Sequence, residues 1–276
     1  MRKLLRLEDH SAETLYEIFR IADEIPSGKY DGILRGKTAV LFFPNSSIRT
    51  RITFEKGVAL LGGQSILFPP ETLDKKEALC DVAGYLNNWA DLAVVRHKNI
   101  AVLDALAKHA AFPLVNAMTD VNHPCEILSD LYALSKIRKH PMDDKFLFVG
   151  TNGNIGRTWK EAADIFGFSL EQCCPAGHEI EGVKVHCDIR EAIRGKDIVC
   201  TDSLPSAALE SFKPMQITRA IMEKAKPGAI LNPCPPFFRG EEVSADVIDS
   251  DFFVGYVFKK CLLEVQQAIM IWCMTK

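Results

Sequence analysis

The stretch TAVLFFPNSSIRTRITFEKGVALL, residues 38–61, holds the fold in miniature. Thr38 to Phe43 is a short apolar run of the length of a buried strand. Pro44-Asn45-Ser46-Ser47 interrupts it with turn formers, and a helical pattern runs from about Arg49 to Leu61. Strand, polar turn and helix in that order form the repeating unit of an α/β protein with a parallel sheet. Upstream, Leu15, Ile18, Phe19, Ala22 and Ile25 mark one face of a helix that Ser11 opens and Pro26-Ser27-Gly28 closes. Downstream the pattern predicts strand 65–68, helix 75–87, strand 91–95, helix 100–109, strand 113–116 and helix 124–138.

After Asp143-Asp144 a second series begins with the apolar run Phe146 to Val149. Helix 155–166, strands near 170–173 and 183–186, a short helix at 189–193, strand 198–201, helix 217–225 and strand 229–231 follow. Two series separated near residue 140 predict two α/β domains. The last apolar stretch, Val257 to Met274, contains Lys259, Lys260, Glu264, Gln266 and Gln267, so it reads as a docking helix returning to the first domain, not a membrane span. The division expected is 1–139 plus 257–276 for the first domain and 140–256 for the second.

Composition excludes several classes. Hydrophobic residues at 47% and charged residues at 25% are ordinary for a globular chain. A formal net charge of −3 gives no basic excess for nucleic acid. The nine cysteines are odd in number and contain no C-x-x-C, which predicts reduced thiols and a cytoplasmic protein. The N-terminus, Met1 to Arg6, breaks its apolar residues with charge and lacks a signal-peptide core.

Ligands of open α/β sheets gather at the carboxyl ends of strands. Polar chemistry concentrates at several such ends. Ser46-Ser47-Ile48-Arg49-Thr50-Arg51 offers hydroxyls, fixed positive charge and a helix N-terminus, a set suited to an anion; the plain alternative is a helix cap with solvated arginines. Arg96-His97 closes the strand at 91–95, and Asn122-His123-Pro124-Cys125-Glu126 opens a helix in which His123 could be no more than a cap. Gly150, Gly153 and Gly156 form G-x-x-G-x-x-G, not the dinucleotide spacing. Thr201-Asp202-Ser203 and Asn232-Pro233-Cys234-Pro235-Pro236 end two later strands.

In this order, these segments resemble the aspartate/ornithine carbamoyltransferase family. Ser47-Ile48-Arg49-Thr50-Arg51, with Thr53-Phe54-Glu55, stands where the family has S-T-R-T-R; His123-Pro124-Cys125-Glu126 stands for H-P-[TC]-Q; and Cys234, Pro236 and Arg239-Gly240-Glu241-Glu242-Val243 look like the ornithine branch's H-C-L-P…R-G-E-E-V. The resemblance implies two Rossmann-like domains, one for carbamoyl phosphate and one for an acceptor amine. It implies that Ser47, Ile48, Arg49 and Thr50 bind the phosphate, that Arg96 and His123 polarise the carbamoyl oxygen, and that Glu126 accepts from the carbamoyl NH₂. One well-placed oxyanion donor is worth ~3–4 kcal/mol of barrier. Phosphate is both leaving group and proton acceptor, so neither metal nor organic cofactor is called for. On the acceptor side the resemblance assigns Asn116, Arg157, Asp202, Ser206, Cys234 and Pro235. Arg157 with Asp202 would take an α-carboxylate and an α-ammonium, and Cys234 would line the path of the side-chain amine, which favours an ornithine-like amino acid. The family's trimers share active sites, and Lys75 or Lys76 would reach a neighbouring subunit's phosphate; two lysines opening a helix oppose its dipole, a local cost that an anion would offset.

The chain also departs from the pattern. Ile48 lacks the family's hydroxyl, Glu126 replaces glutamine, Pro233 replaces histidine, and near the C-terminus Lys260 is the nearby charge where the family has an arginine. Between Cys173 and Asp188 the chain is short by about the length of one helix. These changes keep a second reading in play, a catalytically weak relative with a ligand-binding or regulatory role. An NAD-dependent enzyme is disfavoured by the glycine spacing.

Overall fold

A computed structural model describes residues 1–275 of the chain. Two compact units emerge, residues 1–133 with 259–276 and residues 134–258. The boundary falls inside the helix Pro124–Ile137, which runs unbroken across it, rather than at 140.

The first unit is a five-stranded parallel sheet in the order β1-β5-β4-β2-β3, made of Lys3–Leu4 (β1), Thr38–Phe42 (β2), Gln64–Phe68 (β3), Leu92–Arg96 (β4) and Leu114–Met118 (β5). The short β1 escapes the pattern because two residues carry no period, yet it pairs with β5. Helices Leu79–Leu86 (residues 79–86) and Ile100–His109 cover one face through Ala83, Leu103 and Leu106 against Val40, Ala93 and Val95. The helix Ala12–Glu24 starts as expected at Ser11, whose side chain accepts from the Thr14 N–H. It packs with the C-terminal helix Cys261–Met274, which in turn packs on Arg49–Leu60. Gly57 permits that last contact: a Cβ there would lie 3.1 Å from Gln267 and from Met270. The docking helix thus belongs to the first unit, and its first turn is a 3₁₀ segment, Tyr256–Lys260.

The second unit is another five-stranded parallel sheet, β10-β9-β6-β7-β8, formed by Lys145–Val149 (β6), Ser169–Cys173 (β7), Lys184–His186 (β8), Ile198–Thr201 (β9) and Ile230–Pro233 (β10). Gly156, in the helix Asn154–Phe166, must be glycine because a Cβ would come within 2.6 Å of Phe148 and 2.8 Å of Ile180. That close approach accounts for the third glycine of the turn without any dinucleotide. Between β7 and β8 the chain runs as a loop, without the helix a longer chain would hold. The helix expected at 217–225 shortens to Arg219–Met222, since Ile217 bridges to Val243 and Thr218 caps the turn through the Ile221 N–H.

Candidate active site

β2 in the first sheet and β6 in the second have the strands that follow them on opposite sides, so a crevice opens where the winding reverses, between β2 and β4 and between β6 and β9. The polar segments picked out in the sequence leave the carboxyl ends of these strands.

In the first unit, Ser47 follows β2 and Arg96 ends β4, and the two meet across the crevice: Arg96 Nη1 donates to Ser47 Oγ over 3.2 Å. Ser47 and Thr50 are buried, while Ile48 and Arg49 are exposed at the start of the helix Arg49–Leu60. Ile48 is the helix N-cap and makes no side-chain cap, which leaves the first-turn N–H groups to other acceptors. Arg51 is engaged with Glu55 one turn on, at 2.7 Å. A β-bulge at Val95/Arg96 turns Arg96 out of the regular register with β5.

His123 and Glu126 open the helix Pro124–Ile137, and both are buried. Burial pushes the His123 ring down to about 4, with Arg96 and Lys259 adding to the effect and Glu126 opposing it. The ring is therefore neutral at pH 7, able to donate from one nitrogen without adding charge. For Glu126, burial works against ionisation, but Lys259, by charge and hydrogen bond, and Arg49 hold its carboxyl below the usual range. Lys259 Nζ lies 2.8 Å from Glu126 Oε1 and 2.5 Å from Asp130 Oδ1. Lys260 is exposed, and the lysine paired with these carboxylates is its neighbour Lys259. It enters from the 3₁₀ turn Tyr256–Lys260, just before the C-terminal helix, so sequence offset alone could not choose between the two lysines. Asp130 also escaped the sequence reading; its i, i+4 spacing from Glu126 was the available signal.

The His123 shift has a stability consequence. An unfolded histidine titrates near ~6.5, so the folded chain binds fewer protons than the unfolded one between that pH and about 4. This contribution is fully present above ~6.5 and is lost as the pH falls towards the folded value, on the order of 3 kcal/mol in all. His123→Gln is expected to flatten the loss of stability between neutral and acid pH. Urea unfolding across that range measures it, and an unchanged slope would count against a buried neutral His123.

Two residues of this unit stand apart from the crevice chemistry. Asn116, expected to touch the acceptor, is fully buried and donates both amide hydrogens inward, to the Leu5 carbonyl at 2.8 Å and to Asn122 Oδ1 at 2.7 Å. It ties β5 to the N-terminal segment. His97 is buried with its Nε2 3.0 Å from Asp74 and its Nδ1 accepting from the Asn99 N–H, so it anchors loops. Lys75 and Lys76 are exposed and precede the helix, which starts only at Leu79; Pro70–Asp74 is a 3₁₀ turn. The dipole cost expected of them therefore does not arise. What the structure adds is a fixed base for their loop, since Asp74 is pinned to His97 beside Arg96.

In the second unit the strand register aligns Val149 with Thr201 and Thr201 with Pro233. The glycine turn with Arg157, then Asp202, then Cys234 and Pro235 therefore lie in sequence at the ends of three adjacent strands. Arg157 is exposed on the first turn of its helix, Asp202 is half-buried and accepts from the Ser203 N–H, and Ser206 is exposed at the start of a 3₁₀ turn. Cys234 is buried, its N–H donating to the Thr201 carbonyl. Glu242 fixes the following loop by accepting from the Phe238 N–H at 2.8 Å, and burial raises its carboxyl above the usual range.

Two doubly wound parallel-sheet units, the first with Ser47 and Arg96 joined across its crevice, define an α/β protein of two Rossmann-like domains. Residues 2–136 match the carbamoyl-phosphate-binding domain of aspartate/ornithine carbamoyltransferases, and residues 143–273 match their Asp/Orn-binding domain. The chain belongs to the aspartate/ornithine carbamoyltransferase family. It is 32% identical to ornithine carbamoyltransferase of Chlorobaculum tepidum, over 86% of this chain and 77% of that protein, and 32% identical to that of Syntrophus aciditrophicus, over 98% of each. The solved ornithine carbamoyltransferase of Pyrococcus furiosus superposes with a TM-score of 0.92 at 28% identity, covering 99% of this chain and 97% of that one.

Proposed function

We propose that the chain transfers the carbamoyl group of carbamoyl phosphate to the side-chain amine of an ornithine-like amino acid. The amine nitrogen attacks the carbamoyl carbon, the carbon–oxygen bond to phosphate breaks, and the amine proton passes to the departing phosphate. The Arg96–Ser47 contact carries this reading, because it joins the ends of two adjacent strands into one anion site next to neutral His123. Ser47, Thr50 and the helix N-terminus take the phosphate with Arg49. Arg96 and His123 donate to the oxyanion, and Glu126 accepts from the carbamoyl NH₂. In the second unit Arg157 and Asp202 take the carboxylate and ammonium of the acceptor, while Ser206, Cys234 and Pro235 shape the route of its second amine. The relatives named above support an ornithine-type acceptor. The carboxylate of Glu126, which first suggested a weakened enzyme, is balanced by Lys259, and this favours turnover over a purely binding role. Incubation with carbamoyl phosphate and a panel of amines tests the reading. Phosphate release is expected with α,ω-diamino acids and not with aspartate, and release with none of them would overturn it.

The active form on this reading is a cytoplasmic homotrimer with shared sites. All nine cysteines are free thiols, in keeping with a reducing compartment. The first unit exposes Ile66 and Phe68 on its edge strand β3 and Tyr85 and Trp89 nearby in sequence, apolar surface of the kind that subunit contacts cover. Lys75 or Lys76, on the loop pinned by Asp74, would complete a neighbour's phosphate site. Arg49→Ala subunits mixed with Lys75→Ala/Lys76→Ala subunits are expected to recover activity that neither has alone. No recovery in demonstrably mixed trimers, or full activity as a monomer, would contradict shared sites.

A further inference from the structure

The carbamoyl phosphate crevice contains a charge arrangement that composition alone would forbid. Glu126 and Asp130 lie one turn apart on the same helix face and are 5% and 2% exposed. Two buried carboxylates beside the site for a dianion would repel it and each other, and each would be strongly disfavoured without a partner. Lys259 resolves this by reaching both, at 2.8 Å and 2.5 Å. Its hydrogen bond to Glu126 is made at Oε1. Arg49 acts on the same carboxylate through its charge.

We propose that Lys259 is a positioning residue for carbamoyl phosphate, whose ammonium bridges Glu126 and Asp130, cancels the charge that Glu126 brings into the crevice, and fixes Glu126 to accept from the carbamoyl NH₂. The inference rests on the assignment of this crevice to carbamoyl phosphate. It differs from a direct ligand role, because Lys259 is occupied by two carboxylates and acts through Glu126. The charges sum simply: Glu126 and Asp130 give two negative charges, Lys259 one positive. Removing the lysine doubles the local negative charge, whereas removing Lys259 and the Glu126 charge together leaves it unchanged.

That arithmetic sets the test, made on the full chain with carbamoyl phosphate as the probe. Binding is measured by calorimetry, and KM and kcat by phosphate release. Lys259→Met is expected to weaken carbamoyl phosphate binding by about 30- to 100-fold with a smaller change in kcat, the range for a buried charge left without its partner. Lys259→Arg keeps the charge and is expected to stay within a few-fold of the parent. Glu126→Gln/Lys259→Met is expected to bind about tenfold or more tightly than Lys259→Met, since the carboxylate nearer the ligand no longer carries an unbalanced charge and only Asp130 remains without its lysine. A merely structural lysine would lower the melting temperature of Lys259→Met while leaving KM for carbamoyl phosphate unmoved, and that result overturns the proposal. Equal losses in the single and double variants overturn it as well. A parent protein that binds no carbamoyl phosphate overturns the functional reading and this inference with it. A parent that binds it as tightly as Lys259→Met does overturns this inference alone.

Discussion

Arg96→Ala is expected to lower kcat/KM for carbamoyl phosphate about a thousandfold, the loss associated with removing one preorganised oxyanion donor and its charge. Arg96 holds a fixed charge at the end of β4 and contacts Ser47 just beyond β2, so on the proposed reading one side chain would both close the anion site and donate to the carbamoyl oxygen. Removing it also deprives Ser47 Oγ of its donor. Arg96→Lys is expected to recover little, because an ammonium lacks the planar fork that can serve two acceptors at once. Steady-state rates with saturating acceptor measure the effect. Since Arg96 is half-buried at a strand end and outside the core of its sheet, its replacement should leave the melting temperature near the parent's. A tenfold effect or less would place the oxyanion elsewhere.

Asp202→Ala is expected to raise KM for the amino-acid acceptor by ~10- to 100-fold, as for loss of a hydrogen bond between charged groups, while leaving carbamoyl phosphate affinity unchanged. Asp202 follows β9 at the reversal of the second sheet, whereas the phosphate residues lie on the first. Arg157→Ala should act in the same way, but only on acceptors that carry a carboxylate. A simple diamine, with no carboxylate to lose, should react equally well with the parent and with Arg157→Ala. Competition among acceptors separates the two roles: loss of carbamoyl phosphate binding in either variant would count against the division of labour.

Much of this arrangement was legible in the sequence because strand–turn–helix units announce themselves twice over. An apolar run such as Phe146 to Val149 fixes a buried strand, and the polar residues after it fall at the sheet's carboxyl edge. Ser47, Arg96 and Asp202 fall at that edge in the structure as the pattern predicts, and His123 lies just before the helix Pro124–Ile137. The readings that changed depend on what a side chain meets in three dimensions. Asn116 closes the strand predicted at 113–116, but β5 runs on to Met118 and neighbours Lys3–Leu4, a pair too short to show a period, and the Leu5 carbonyl captures the Asn116 amide. The helix after Pro69-Pro70 starts four residues later than its polar lead suggests, because the prolines set up a 3₁₀ turn and His97 pins Asp74 at its end. Lys259 is separated from Glu126 by 133 residues, and only the return of the C-terminal segment to the first unit joins them. Local pattern places a residue at an edge; which partner it has there is decided by the long-range crossing of the chain.

The most direct measurement follows the transferred group itself. Carbamoyl phosphate labelled with ¹³C at the carbamoyl carbon is mixed with the protein and an α,ω-diamino acid, and carbon NMR is recorded beside a phosphate assay. The signal is expected to move from the carbamoyl phosphate position to that of a ureido carbon on the side-chain nitrogen, one for each phosphate released, in the parent and not in Arg96→Ala. Phosphate released without a ureido carbon, or label remaining on carbamoyl phosphate after prolonged incubation with the parent, would contradict a carbamoyl transfer built on Ser47, Arg96 and His123.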